Sequence, residues 1–232
     1  MQCTITLQPG ESCDVIVFLG QCDSVQESLA LVARYRLLNV DSLLADVRRH
    51  WQSLLGAVQV RTPDRAMDIL LNGWLLYQTL ACRIWARSAF YQASGAYGFR
   101  DQLQDGMALT FARPAQTREH LLRAAARQFV EGDVQHWWLP HSGQGVRTHI
   151  SDDRVWLAFA TASYVLSSGD TAVLEEPVAF LEGPALRPEE HDAFFQPMPA
   201  NISATLFEHC ARALDETIRL TGTLGLPLMG TG

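Results

Sequence analysis

The pattern of apolar and polar positions changes about twenty residues into the chain. Within residues 3–19, the segment Thr4-Ile5-Thr6-Leu7 alternates, and residues 15–19 form a short apolar run rich in β-branched side chains. Both patterns are typical of β-strands. Two strands do not form a stable domain alone. We therefore expect this segment to be the tail of a larger sheet.

The apolar spacing becomes helical after residue 20. Ser24 and Glu27 have the spacing of a capping box, which predicts a helix start. A second helix is predicted over residues 41–55, where Leu43, Leu44, Val47 and Trp51 form an apolar stripe. These two helices indicate a helical linker over residues 21–60.

Residues 61–232 are predicted to be helices joined by long loops. Pro63 suits a first helical turn, and a long helix is predicted from Ala66 to Phe90. Further helices are predicted over residues 101–112, 116–131, 151–168, 170–181 and 203–221. Loops rich in Gly, Pro and polar residues are predicted over 91–100, 132–150 and 183–202. Successive helix pairs suit an α/α toroid, so the predicted fold class is mainly α. Loops of this length usually indicate function.

Composition and charge narrow the classes of partner. The net charge of −7 argues against a non-specific nucleic-acid binder, which needs a basic face. A neutral sugar fits this charge better than a polyanion. The 5 cysteines lack CxxC spacing, which argues against a disulfide framework and a zinc site. Neither an apolar run of about 18 residues nor a signal peptide is visible. We expect a cytoplasmic protein or a cytoplasmic portion of a larger one.

The segment 95–105 carries candidate sugar ligands. Arg100 and Asp105 follow two glycines, and an Arg and an Asp on a rigid loop can bind adjacent sugar hydroxyls as donor and acceptor. The alternative is an intramolecular Arg–Asp pair that only pins the loop. Gln104 and Asp101 flank the candidate pair and are expected to support it. We include Gln104 among the predicted substrate-binding residues.

Arg87 is a candidate phosphate ligand. It lies one helical turn after Arg83, on the same face of the predicted long helix. The planar fork of a guanidinium group fits phosphate oxygens. The alternative is a solvated or salt-bridged helix face.

The segment 135–138 combines polar and aromatic side chains. Sugars present apolar C–H faces and hydroxyl edges, so His136 and Trp137 suit a sugar site. The alternative is a pair of core tryptophans beside a structural histidine. His136, His141 and His149 do not have the spacing of a standard metal site, so no metal site is predicted.

Asp152 and Asp153 follow Ser151, which is a good N-cap residue. Acidic residues suit the first turn of a helix. Adjacent helix residues point in different directions, so a general acid/base pair is not expected from these two carboxylates. The same geometry argues against a nucleophilic pair of His209 and Cys210, so both residues are expected to be structural.

Together with Gly225-Leu226-Pro227-Leu228, the segments 95–105 and 135–138 resemble the catalytic region of the inverting glycoside phosphorylases. Within this family, the chain is most similar to the C-terminal module of bacterial cyclic β-1,2-glucan synthases. The resemblance covers most of residues 58–232. It implies a β-sandwich ending in residues 1–20, a helical linker over 21–60, and the first half of an (α/α)6 barrel over 61–232.

The resemblance also implies the chemistry. Phosphate attacks the anomeric carbon of a β-linked glucoside with inversion, so one protein carboxylate suffices as general acid, whereas glycosidases use two. In the family, the Gly-Leu-Pro-Leu run leads into an Asp-Trp-Asn-Asp segment whose last Asp is that acid. We therefore expect the acid just beyond Gly232 and an inactive isolated chain without a catalytic residue. Leu224 departs from the family, which often has His there.

The resemblance implies a role for each candidate residue. Arg100 and Asp105 would hold the glucosyl unit, and Arg87 would lie near the phosphate. Asp153 would line the cleft, where we also expect His136 and Trp137. No cofactor is expected, and inorganic phosphate is the co-substrate.

The expected substrate is a β-glucan or a β-linked disaccharide. Among β-glucans, β-1,2-glucan is the preferred candidate. Unmatched helices of a partial barrel would expose apolar faces, which makes a homodimer a candidate assembly. The parent protein could be a larger inner-membrane synthase. The alternative function is that of a non-catalytic carbohydrate-binding or structural fragment.

Overall fold

The computed structural model describes residues 2, 4–86, 95–226 and 228–230. The chain divides into two compact units, Met1–Trp51 and Gln52–Gly232. Helices predominate, with a few short antiparallel strands in the second unit. The predicted mainly α class is therefore confirmed. The predicted domain boundaries at residues 20 and 60 stay predictions.

Two helices follow the N-terminal segment, as their sequence pattern predicts. Helix α1 spans Val25–Arg36, and the Ser24 hydroxyl accepts a hydrogen bond from the Glu27 backbone N–H at 3.1 Å. The Glu27 carboxylate accepts from the Asp23 N–H at 3.3 Å, one residue earlier than in a capping box. Helix α2 spans Val40–Leu55. The N-cap at Ser24 and both helices are confirmed.

The strands predicted within residues 3–19 are wrong for this structure. The described residues 2 and 4–20 contain no strand, only a turn at Pro9-Gly10. Large apolar side chains there are exposed, and Leu19 is 100% exposed. A strand is held by hydrogen bonds to a neighbouring strand, and this segment has no such neighbour among the described residues. The assignment of residues 1–20 to a β-sandwich stays a prediction.

The predicted long helix 66–90 is present but irregular. Helix α3 spans Arg65–Ile69 and is capped by the Asp64 side chain, and α4 spans Leu75–Gln78. Two π-helical segments, Leu70–Trp74 and Thr79–Trp85, join these helices into one irregular helical rod over residues 65–85. The first contains a kink at Gly73, where the backbone leaves helical geometry. Residues 87–94 lie outside the described part of the chain.

Four helices surround the core of the second unit. They are α5 (Phe99–Met107), α6 (Pro114–Ala125), α7 (Asp152–Ser168) and α8 (Leu206–Ile218). Each lies within or close to a predicted helix. The core between them is formed by fully buried apolar side chains: Phe99, Leu103, Leu121, Leu157 and Leu206. Burial of such side chains is the main stabilising contribution to this unit.

In the described part of the chain, six short strands occupy segments that the sequence predicts as loops or helix. An antiparallel sheet has the order β1 (Tyr97–Gly98), β2 (Gln135–Trp138), β3 (Gly145–Thr148) and β5 (Asp192–Phe195). Strand β4 (Pro177–Glu182) pairs with β6 (Met198–Thr205).

The helix predicted over 170–181 is therefore wrong. A 3₁₀ turn, Thr171–Glu175, is followed by β4. The loops predicted over 91–100, 132–150 and 183–202 contain strands as well. At Gly145 a Cβ atom would collide with the carbonyl oxygen of Trp137 on the paired strand, so the close approach of β2 and β3 requires glycine.

Within the described residues, no helix combines the length and the apolar character needed to cross a membrane. The (α/α)6 barrel stays a prediction, because its closure involves more helices than α5–α8 and the irregular rod before them.

Candidate functional site

A polar cleft of about 540 Å³ lies where the start of α5, strand β2 and the start of α7 meet. The described residues that line it are Ala96, Gly98, Phe99, Arg100, Asp101, Gln104, His136, Trp137, Ile150, Asp152, Asp153 and Met229. Five of the predicted sugar-binding residues therefore meet here: Arg100, Gln104, His136, Trp137 and Asp153. Asp105 is not among the described lining residues.

His136 on β2 is bonded to Asp153 on α7. The Nδ1 atom of His136 lies 2.6 Å from Oδ2 of Asp153. The Asp153 side chain is 2% exposed, whereas the His136 side chain is 39% exposed toward the cleft. With Nδ1 donating to the carboxylate, Nε2 is the ring nitrogen that can reach a ligand.

The electrostatics of this pair favour a cationic imidazole. The hydrogen bond to Asp153 raises the pKa of His136 above its ordinary value of 6.5, against the opposing effect of burial, and nearby Asp101 and Asp152 act in the same direction. Burial raises the pKa of Asp153, although the hydrogen bond with His136 counteracts part of this effect. The pair therefore holds a proton through the weakly acidic range.

Arg100 on α5 is held by two residues of α7. Its Nη1 atom donates to Oδ2 of Asp152 at 3.0 Å, and its Cζ atom lies 5.1 Å from the centre of the Trp156 ring. Asp152 and Trp156 are one helical turn apart, so they share a face of α7. The Arg100 side chain is 48% exposed, so its donors can reach a ligand in the cleft.

Asp105 is paired with Arg83 instead of Arg100. The Nε atom of Arg83 lies 3.1 and 3.0 Å from the two carboxylate oxygens of Asp105. Both side chains are mostly buried, and the pair connects α5 to the π-helical segment Thr79–Trp85. The observed pair joins two helical segments, so it differs from the alternative of an Arg100–Asp105 pair that pins a loop. Sugar binding by Asp105 stays a prediction.

The two tryptophans of β2 have different environments, because successive strand residues point to opposite faces. Trp138 is buried, with ring centroids 5.7 Å from Tyr97 and 6.4 Å from Phe99. Trp137 lines the cleft and packs on Phe194 at 5.6 Å. Trp138 is thus a core residue, whereas Trp137 is part of the cleft wall.

A second lobe of about 850 Å³ adjoins the first. The two lobes share His136, Trp137, Ile150 and Met229. The second adds polar side chains from β3, β5 and the segments next to them: Thr148, His149, His191 and Asp192. His191 and Asp192 were not predicted as site residues, because they lie in a segment predicted as a loop and carry no recognisable spacing.

Residues 228–230 lie at the rim of this cleft. The Leu228 N–H donates to the Leu220 carbonyl at 2.8 Å, and the Ser151 hydroxyl donates to the Leu228 carbonyl. Met229 lines both lobes. Ser151 does occupy the N-cap position of α7, but within the described chain its side chain holds Leu228 and makes no capping bond. Nothing in the sequence pattern indicates this contact.

Residues 50–232 match the catalytic domain of the glycosyl hydrolase 94 superfamily. The chain belongs to this family. It is 51% identical over 97% of its length to the cyclic beta-(1,2)-glucan synthase NdvB of Rhizobium meliloti (strain 1021), of which it covers 8%.

Two further relatives are phosphorylases. An N,N'-diacetylchitobiose phosphorylase of Vibrio furnissii is 27% identical over 95% of this chain, which covers 29% of that protein. A 3-O-beta-D-glucopyranosyl-beta-D-glucuronide phosphorylase of Paenibacillus borealis is 27% identical over 100% of this chain, which covers 28% of that protein. The chain thus spans less than a third of each of these three relatives.

Arg87, the predicted phosphate ligand of this glycosyl hydrolase 94 domain, lies outside the described residues. Its role stays a prediction. Arg83, one turn earlier, is engaged by Asp105.

Arg147, which follows Val146 on β3, is a structural cation. Its guanidinium group donates to Asp133 at 2.6 Å and to Glu131 at 3.0 Å, and it also binds the carbonyls of Gly183 and Pro184. The side chain is almost completely buried and its bonds lead away from the cleft lining. It connects β3 to the segments before β2 and after β4.

His209 and Cys210 on α8 are structural, as the sequence analysis predicts. The Nε2 atom of His209 lies 3.0 Å from the Val178 carbonyl oxygen, and its ring stacks on Phe180 at 4.0 Å. Burial raises the pKa of Cys210 to about 11, so its thiol stays protonated. In the described part of the chain, no group of three or more His, Cys, Asp or Glu residues is arranged to hold a metal ion.

Proposed function

We propose that this chain forms the sugar-binding part of a glycoside phosphorylase domain, which transfers glucosyl units of β-linked glucans to inorganic phosphate with inversion. The glycosyl hydrolase 94 family and its phosphorylase relatives support this reaction class. The similarity to a protein named cyclic beta-(1,2)-glucan synthase supports β-1,2-glucan as the substrate.

The observation that carries the proposal is the composition of the cleft. Arg100 and the Asp153-bound His136 line it and can donate hydrogen bonds. The carboxylate of Asp101 and the amide of Gln104 add acceptors, and Trp137 adds an aromatic face. Charge-assisted hydrogen bonds beside an apolar ring surface are what a hexose needs, because its hydroxyl edges surround apolar C–H faces.

In the proposed reaction a phosphate oxygen attacks the anomeric carbon as the glycosidic C–O bond breaks. The leaving oxygen takes a proton from a general acid, and we propose that this acid lies just beyond Gly232. The presence of Met229 in the cleft lining supports this position. Arg87 is proposed as a phosphate ligand through its guanidinium fork.

The domain organisation completes the proposal. We assign residues 1–20 to the end of a β-sandwich, although they form no strand in the described chain and would need partner strands to do so. We assign residues 21–60 to a helical linker and 61–232 to the first part of an (α/α)6 barrel. Helices α5–α8, with the irregular rod before them, supply successive helix pairs for this barrel.

Isothermal titration of this chain with glucobioses tests the proposal. The β-1,2-linked disaccharide sophorose should bind more tightly than the β-1,4-linked cellobiose. His136→Ala should weaken sophorose binding on the order of tenfold or more, because a charged hydrogen bond contributes about 1.5–3 kcal/mol. His141→Ala, an exposed histidine outside the cleft lining, is the matched control. Equal loss in both variants, or no binding of either sugar, would contradict the assignment of the cleft.

A further inference from the structure

We propose that Trp156 is a positioning residue that acts with Asp152 to hold the Arg100 guanidinium group in its sugar-binding orientation. We call this arrangement of three side chains the Arg100 clamp. The inference rests on the proposed function, because it takes Arg100 to be a ligand of the bound glucoside. Trp156 is not among the described residues that line the sugar cleft, so it acts through Arg100.

The two contacts of the clamp hold different parts of the guanidinium group. Asp152 accepts a hydrogen bond from Nη1 at 3.0 Å. Trp156 lies under the planar group, with 5.1 Å between Cζ and the ring centroid, which is within the range of a cation–π contact. One contact fixes an edge of the guanidinium group and the other restrains its plane.

The ion pair alone does not account for the ordering of Arg100. The Arg100 side chain is about half exposed, and exposed ion pairs contribute little because water screens them and the long side chains remain mobile. An aromatic face beneath the guanidinium group removes conformations that the carboxylate alone permits. Arg100 is therefore ordered before sugar binds, which reduces the entropy lost on binding.

Trp156 is itself held rigidly. Its ring packs edge-on against Phe159 at 5.5 Å with an interplanar angle of 88°. It also packs against the core of the second unit. Because α7 carries Asp152 and Trp156 one turn apart, a single rigid helix supplies both contacts.

The first turn of α7 also holds the second cation of the cleft. Asp152 binds Arg100, and its neighbour Asp153 binds His136. Adjacent helix residues point in different directions, so each carboxylate serves one cation. The start of α7 thus sets the distance between the two donors, and Trp156 gives the more exposed one its orientation.

A double-mutant cycle on the 232-residue chain tests the clamp. The measured quantity is the sophorose dissociation constant of the unaltered chain, Trp156→Leu, Arg100→Ala and the double variant. We expect Trp156→Leu to weaken binding about three- to tenfold, the range of a cation–π contact. It should add nothing in the Arg100→Ala background, because Trp156 acts only through Arg100.

Two further variants separate positioning from packing. Trp156→Phe keeps an aromatic face and should retain most of the affinity. Leu157→Val removes core packing from α7 without touching the clamp or the cleft lining, and it should lower stability with little change in affinity. Equal losses of affinity from Trp156→Leu with and without Arg100 would overturn the proposal.

A ligand-free measurement decides the clamp independently of sugar. Ring currents of Trp156 should shift the Arg100 Nε–Hε resonance upfield, and Trp156→Leu should abolish this shift while Trp156→Phe keeps part of it. An Arg100 resonance that is the same in Trp156→Leu would overturn the clamp. If the unaltered chain bound none of the glucosides, the proposed function would be overturned, while the Arg100 resonance would still report whether the clamp exists.

Discussion

The imidazole of His136 lies 2.6 Å from the buried carboxyl group of Asp153, across the boundary between β2 and α7. This pair connects the strand that carries Trp137 to the helix that holds Arg100. A carboxylate behind the ring keeps Nδ1 occupied and leaves Nε2 as a donor toward the cleft. The same carboxyl group therefore governs both the charge and the direction of the histidine.

His136 should titrate above 6.5, because the Asp153 carboxylate stabilises the imidazolium. Since the folded-state pKa is raised, the stabilisation is complete below 6.5 and is lost as pH rises through the folded-state pKa. Asp153→Asn should lower the His136 pKa. An NMR titration of the ring carbons of His136 measures both values. The same His136 midpoint in both proteins would rule out control by Asp153.

Substitution of Arg100 should affect sugar affinity but not stability, whereas substitution of Asp105 should affect stability. Arg100→Ala should weaken sophorose binding about tenfold or more and leave the free energy of unfolding nearly unchanged, because its ion pair is exposed. Asp105→Asn should lower the free energy of unfolding by about 1–3 kcal/mol, because it disrupts a mostly buried charged pair with Arg83.

Titration calorimetry and urea unfolding of both variants give these values, and Asp101→Ala is the comparison within the same segment. If Asp105→Asn lost sugar affinity at unchanged stability, Asp105 would be a sugar ligand rather than a structural partner of Arg83.

Substitutions of the two adjacent tryptophans on β2 should have different effects, one on stability and the other on sugar binding. Trp138→Ala should cost about 3–5 kcal/mol of unfolding free energy, the typical effect of emptying a buried aromatic site. Trp137→Ala should be much less destabilising but should weaken sugar binding, because its ring faces the cleft. Unfolding curves and sophorose titrations of the two variants test this, and a reversal of the two effects would contradict the site.

Local signals in the sequence predicted the helices well. Ser24 and Glu27 are close in sequence, so their contact could be inferred from spacing alone. The strands could not be inferred in the same way. Strand β3 pairs with β5 more than 40 residues later, and strands of two to eight residues leave no clear period of two.

The sequence predicted several residues of the cleft, but not their pairings. Arg100, His136, Trp137 and Asp153 were named from short segments of the sequence and do line one cleft, whereas their role in sugar binding stays a prediction. The partner of Asp105 is 22 residues away and the partner of Arg100 is 52 residues away. Such pairings depend on how helices pack, which one sequence does not reveal. The contact of Ser151 with Leu228 could not be predicted for the same reason.

Arg87→Lys should weaken the binding of phosphate more than the binding of sugar. An ammonium group keeps the charge but cannot form the two parallel hydrogen bonds of a guanidinium group. In an active hybrid that joins this chain to the matching downstream segment of the Rhizobium meliloti relative, the KM for phosphate should rise while the KM for the glucoside changes less. A rise in the glucoside KM alone would make Arg87 a sugar ligand or a scaffold residue.

The central claim is that this chain supplies the sugar site of an inverting phosphorylase domain, and product analysis of the same hybrid tests it most directly. Incubation with β-1,2-linked glucooligosaccharides and phosphate, followed by ³¹P and ¹H NMR, identifies the product and its anomer. We predict α-glucose 1-phosphate, formed only with phosphate present, and no product from the 232-residue chain alone. A β-anomer, glucose release without phosphate, or a folded hybrid that binds the oligosaccharide without forming glucose 1-phosphate would contradict the account.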